Sequence, residues 1–162
     1  MIVASLLSLV SVVSAHAGTI DRVDITDAGL YETKIEKAET APGTATETRN
    51  ALARTELLQK ATRIDAKIGT HFGFRYRIIG QPDNGEADIT FVTVPPAPGL
   101  RNPKTGKVST REEYSAAVMF NETGYAGYSF DEDWEIVPGT WTFELWDRER
   151  KLASQSFEIV KP

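Results

Sequence analysis

The stretch from Trp134 to Val160, W-E-I-V-P-G-T-W-T-F-E-L-W-D-R-E-R-K-L-A-S-Q-S-F-E-I-V, decides the fold. It reads as two strands and a turn. Side chains alternate between the two faces of a strand, so Trp141, Phe143 and Leu145 share one face while Thr140, Thr142 and Glu144 share the other. In the second arm Ala153, Phe157 and Ile159 lie opposite Ser154, Ser156 and Glu158. A pair with one apolar and one polar face belongs in an antiparallel sheet that covers a core on one side and meets water on the other.

Working outward, the same pattern recurs. Phe72, Phe74, Tyr76 and Ile78 alternate with Gly73, Arg75 and Arg77. The turn residues Gln81-Pro82-Asp83-Asn84 then predict a hairpin back into Ala87–Val94. On that reading Arg75 and Arg77 pair across strands with Glu86 or Asp88. Two further strands are expected at Tyr114–Phe120 and Gly124–Phe130, joined by Asn121-Glu122-Thr123. Ile20 to Ile35 reads as one or two strands bent at Asp27-Ala28-Gly29. Thr40 to Asn50, with few large apolar residues, reads as a loop. Residues 49–61 are ambiguous: Leu57, Ala61, Ile64 and Ile68 have helical spacing, whereas Ile64, Ala66 and Ile68 alternate. The pattern favours a strand from about Thr62. About seven or eight short strands with turns between them, and no helix–strand alternation, predict an all-β antiparallel sandwich of the immunoglobulin-like type, undivided by linkers or repeats.

Ile2 to Val13 is an apolar run too short to span a bilayer as a helix, and it leads into Ala15-His16-Ala17, a small-x-small step of the kind a signal peptidase accepts. No Lys or Arg precedes the run, and a buried N-terminal helix is the competing reading. The expectation is a signal peptide over residues 1–17 and one exported domain over residues 18–162, in the periplasm or outside the cell, with no membrane insertion once the signal is removed. Removing 17 of the 162 residues leaves 145. A domain of about 150 residues buries roughly 68–70% of the surface its unfolded chain exposes, so packing alone can hold it. It must, because there is no cysteine, which also removes thiol catalysis and thiolate metal ligands.

The formal charge of −5 argues against nucleic acid as a partner, which needs a basic face. The local basic clusters, Arg101, Lys104 and Lys107 and then Arg148, Arg150 and Lys151, fall in turns and read as solvated charge.

Pro138-Gly139-Thr140-Trp141-Thr142-Phe143 resembles the approach to the penultimate strand of bacterial immunoglobulin-like and fibronectin-like domains, and Ser156-Phe157-Glu158-Ile159-Val160 resembles their last strand. Together with Gly69-Thr70-His71-Phe72-Gly73, Gly124-Tyr125 and Trp134 to Trp141, the chain is similar to a family of exported bacterial proteins of unknown function. The resemblance implies a sandwich and lends no catalytic residues.

Little in the chain points to chemistry. His71 is the one histidine after residue 17, so imidazole can supply no more than one metal ligand there, and no Ser sits in a G-x-S-x-G elbow. Asp131, Glu132, Asp133 and Glu135 form an oxygen-rich run that reads as a solvated acidic turn, with a calcium loop as the alternative. No catalytic residue and no cofactor is expected. The candidate contacts are aromatic. Trp146 has polar-face parity, out of phase with Trp141, and Trp134, Tyr125 and Tyr128 lie in neighbouring segments. Such residues stack on sugars or anchor protein partners. The competing account has Trp146 covering the hairpin edge or joining a second core layer. The expected function is a binding or interaction module for a protein or glycan, with a carboxylate-dependent hydrolase as the distant alternative.

Overall fold

The computed structural model describes residues 18–161; the expected signal peptide lies outside them. The first main sheet contains β1 (Thr19–Thr40), β2 (Thr48–Lys60), β4 (His71–Gln81) and β9 (Thr123–Ser129) in the order β2-β1-β4-β9. The second contains β3 (Arg63–Asp65), β5 (Glu86–Val94), β8 (Glu112–Met119), β10 (Gly139–Asp147) and β11 (Arg150–Val160) in the order β3-β11-β10-β5-β8. A short ribbon, β6 (Leu100–Arg101) with β7 (Val108–Ser109), and a 3-10 turn at Asp133–Glu135 complete the described elements. All pairings in the two main sheets are antiparallel except β3 with β11.

The alternation of the C-terminal hairpin reads directly into packing. Trp141, Leu145 and Ile159 are fully buried, and Phe143 and Phe157 nearly so. They meet Phe72 and Phe74 from the other sheet: Phe72 lies edge-on to Trp141 at 6.0 Å, to Phe143 at 5.6 Å and to Phe157 at 5.4 Å between ring centroids. Aromatic pairs prefer such offset and edge geometries. The indole N–H of Trp141 donates to the Val137 carbonyl at 2.8 Å, so its one polar atom is satisfied inside the core.

Several expectations are corrected. The turn at residues 82–85 is a crossover rather than a hairpin: β4 and β5 lie in different sheets and do not pair. Arg75 and Arg77 therefore do not face Glu86 or Asp88. Arg75 donates to the Thr55 carbonyl at 2.6 Å and lies 3.9 Å from Asp27, and Arg77 reaches the Thr123 hydroxyl at 3.5 Å. Turn residues reverse the chain without saying which sheet receives it. Ile64 and Ala66 are buried but Ile68 is 58% exposed, because β3 ends at Asp65. Residues 48–60 form a strand, and the loop expected from Thr40 shrinks to residues 41–47.

The N-terminal run, expected as one or two strands, is one continuous strand and shapes the molecule. β1 is a 22-residue strand used twice. Thr19 to Leu30 pairs with β4, and Gly29 to Thr40 pairs with β2. Strand-pair irregularities flank this change of partner, one at Ile25/Asp27, where the sequence suggested a bend, and one at Leu30/Tyr31. The distal halves of β1 and β2 thus form an arm that continues beyond the sheet.

Candidate functional site

The arm turns across the open side of the sandwich, where β9 ends one sheet and β8 ends the other. At its base Tyr31, 2% exposed, meets Tyr125 of β9 edge-on at 4.8 Å. The Thr33 hydroxyl lies 3.0 Å from Nδ1 of His71. Midway, the guanidinium of Arg49 sits 4.8 Å over the ring of Tyr114 on β8 and pairs with Glu39. At its tip the backbone N–H of Ala45 donates to Oε1 of Glu112 at 2.5 Å, and Asn102 donates its side-chain amide to the Ala45 carbonyl at 2.9 Å. Lys107 donates to the carbonyls of Pro42 and Thr44 at 2.8 and 2.9 Å. It is an anchor for the arm, not the solvated loop charge its sequence neighbours suggested.

Between arm and sandwich lies a cleft of about 380 Å³, within the range of small-ligand sites. Tyr125, Tyr128 and Trp134 all line it, with Tyr114, Glu112 and Glu135. A second cavity of about 460 Å³ continues beneath β2 and shares Arg49, Leu52, Tyr114 and Tyr125 with the first. Three of the four expected contact residues are therefore brought together. Tyr125 points from the outer face of its sheet, its hydroxyl donating to the Phe72 carbonyl at 3.1 Å. Tyr128 points the other way, its ring 4.9 Å from that of Trp141. They share one cleft because it wraps around the sheet edge.

Trp146 lies elsewhere, half-buried on the outer face of the five-stranded sheet. Its N–H donates to Oε2 of Glu144 at 2.8 Å, and Lys151 and Arg111 approach its ring at 5.2 and 5.9 Å. Glu144, 8% exposed, also receives Lys151 at 2.5 Å. Burial pushes its carboxyl upward, but the hydrogen bonds from Lys151 and Trp146 and the charges of Lys151 and Arg111 outweigh that and hold it below the usual carboxylate range.

The acidic run is not uniformly solvated. Glu135 is 2% exposed. Its Oε2 receives the backbone N–H groups of Asp131 and Glu132, both at 2.7 Å, and its Oε1 receives the Tyr128 hydroxyl at 3.1 Å. This is a reciprocal cap on a 3-10 turn. Burial pushes the Glu135 carboxyl up, partly opposed by those donors. Burial likewise raises Glu112, with the charge of Glu135 adding to it and the Ala45 N–H and Lys107 opposing. The hydroxyls of Tyr114, Tyr125 and Tyr128 are also raised by burial and stay protonated at neutral pH. Among the described residues no group of three or more His, Asp or Glu is placed to hold a metal ion.

Glu112, Asn102 and the arm escaped the sequence reading. Glu112 shares its parity with Tyr114, on the inner side of β8, and that was the available signal.

The immunoglobulin-like sandwich defines the class. The chain belongs to the DUF3859 family, a domain of unknown function, whose match spans residues 21–159. Among solved structures it is similar to an immunoglobulin-like protein from Pseudomonas aeruginosa, with 26% identity and a TM-score of 0.57, covering 88% of this chain and all of that one. A β-glucosidase from Listeria innocua aligns over 82% of this chain and 16% of its own, at 10% identity and a TM-score of 0.35, too distant to carry an argument. No curated protein matches the chain in sequence. No described helix is long and apolar enough to cross a membrane.

Proposed function

We propose that the protein is a binding module that acts after export and encloses a small ligand in the cleft between its β1–β2 arm and the sandwich, without breaking bonds. The observation that carries this reading is the cleft itself. A roof supplied by one hairpin, aromatic walls from Tyr125, Tyr128 and Trp134, and a few convergent polar groups are the ordinary make-up of a small-molecule site. The apolar run and Ala15-His16-Ala17 step support export, and the family and its structural relatives contribute a fold rather than an activity.

The test is a thermal-shift and tryptophan-fluorescence screen of the residue 18–162 chain against amines, saccharides and carboxylic acids. At least one class raises the melting temperature, and Trp134→Ala removes the shift. Stabilisation that survives Trp134→Ala and disappears in Trp146→Ala would place the site on the outer sheet face and overturn the cleft.

A further inference from the structure

We propose that the ligand of this cleft is a small organic cation whose ammonium group is received by Glu112. The inference rests on the binding-module reading and adds the chemistry of what is bound. Glu112 is 3% exposed, and its Oε1 is taken by the Ala45 N–H. Among the described residues its Oε2 receives no hydrogen bond, and no polar side-chain atom there is both sealed and unpartnered, so this oxygen looks into the cleft it lines.

Among the described residues no cation forms an ion pair with Glu112. Of the cations lining the cleft, Arg49 is paired with Glu39 and lies on Tyr114, and Lys104 is paired with Glu132 at 3.1 Å. The charge of Lys107 reaches Glu112 and partly offsets it, but its ammonium donates to two carbonyls of the arm and makes no hydrogen bond to the carboxylate. Glu135 brings a second buried carboxylate, but one whose two oxygens already accept from three donors. A buried carboxylate with a vacant acceptor is costly unless a cation meets it.

The walls fit the same guest. Tyr125, Tyr128 and Trp134 line the space around the two carboxylates, while the ring of Tyr114 is already covered by Arg49 and stacked on Phe91. Aromatic faces attract ammonium groups through the negative face of the ring, most strongly where water is excluded. A neutral saccharide would satisfy the vacant oxygen with a hydroxyl but would leave the charge unpaired. The adjoining cavity beneath β2 gives room for the rest of the molecule.

The experiment is calorimetric titration of the residue 18–162 chain with putrescine, spermidine and tetramethylammonium, beside galactose, maltose and succinate, and beside a short lysine-containing peptide. The expected result is binding of at least one of the amines and none of the saccharides. Glu112→Gln, whose carbonyl oxygen still accepts from Ala45, weakens that binding at least about tenfold, and Trp146→Ala leaves it unchanged. Amine affinity unaltered by Glu112→Gln overturns the assignment to this carboxylate. A saccharide that binds and is lost in Trp134→Ala, with no amine bound, overturns the cation and leaves the binding module standing. A lysine peptide that binds where the free amines do not overturns the small-molecule source. If none of the six probes or the peptide binds, the cation proposal fails, and the wider screen decides the module.

Discussion

Ala45 and Glu112 are 67 residues apart in the chain, yet the backbone N–H of one donates to the carboxylate of the other at 2.5 Å, both side chains being buried. This contact closes the arm onto the second sheet. Its titration has a definite sign. The Glu112 carboxyl is raised in the folded state, so between the ordinary value of 4.5 and its folded value the native protein holds more proton than the unfolded chain. Stability from this group is therefore full below pH 4.5 and falls as pH rises through that window. Glu112→Gln removes the buried charge and keeps the acceptor. The expected outcome is a variant that gains stability relative to wild type as pH goes from 4 to 8, read as the difference in melting temperature at each pH.

Asn102 tests the arm without changing charge. Its amide donates to Ala45 and its Oδ1 receives the backbone N–H groups of Lys104 and, at longer range, Thr105. Asn102→Ala leaves the Ala45 carbonyl short of a donor, at a cost of about 1–3 kcal/mol. Exchange of the Ala45 and Thr44 amides should accelerate by more than that of the core strands, since the tip opens locally. Uniform acceleration across β4 and β10 would show that the tip is no separate unit.

How far the sequence is legible follows from where each pattern gets its signal. Trp141, Phe143 and Leu145 are buried against one core, so their parity declares β10 and its inward face. The arm has no such contrast. Ile35 and Leu58 are 47% and 63% exposed while Tyr31 is buried, because the arm touches the sandwich at scattered points, and period-2 reasoning finds nothing to lock onto. Pro82 to Gly85 marks a reversal, but a hairpin and a crossover draw on the same turn residues. Tyr125, Tyr128 and Trp134 stood out as aromatic, yet Tyr125 and Tyr128 sit on opposite faces of β9. Only the arm folded over that edge makes them neighbours.

Trp141 is the test of the core. It is fully buried and touches Phe72, Tyr128 and Phe130, with ring centroids 6.0, 4.9 and 5.5 Å away. Trp141→Ala opens a cavity that the surrounding rings cannot fill, at about 3–5 kcal/mol, against a total of about 5–15 kcal/mol for a domain. Urea denaturation should show the midpoint falling with little change in slope. A midpoint equal to that of wild type would remove Trp141 from the core.

The Glu144 cluster carries the opposite pH dependence to Glu112. Its carboxyl is held below the usual range, so the stability it contributes is present above pH 4.5 and is lost as pH falls through its folded value. Glu144→Gln keeps an acceptor for the Trp146 N–H but drops the attraction to Lys151 and Arg111. The gap in melting temperature between wild type and this variant should be largest near pH 7 and shrink toward pH 3. A gap that widens on acidification would reverse the assignment.

Gly73 ties the fold to the cleft. On the outer face of β4 it pairs with Gly127 of β9, and the Tyr125 ring reaches across both glycines to the Phe72 carbonyl. A Cβ at Gly73 would stand 2.6 Å from the Gly127 Cα and 2.7 Å from the Tyr125 hydroxyl oxygen, besides striking the Ala126 carbonyl. The side chain could swing away, but the two backbone contacts belong to the β4–β9 ladder and yield only if the strands part. Gly73→Ala should therefore cost about 1–3 kcal/mol as overpacking and, by displacing Tyr125, reduce ligand binding in the cleft. Separating these effects requires the measurement to be made well below the melting temperature. If binding weakens while the far-ultraviolet spectrum is unchanged, Tyr125 shapes the site. If binding persists at full strength, Tyr125 serves the arm alone.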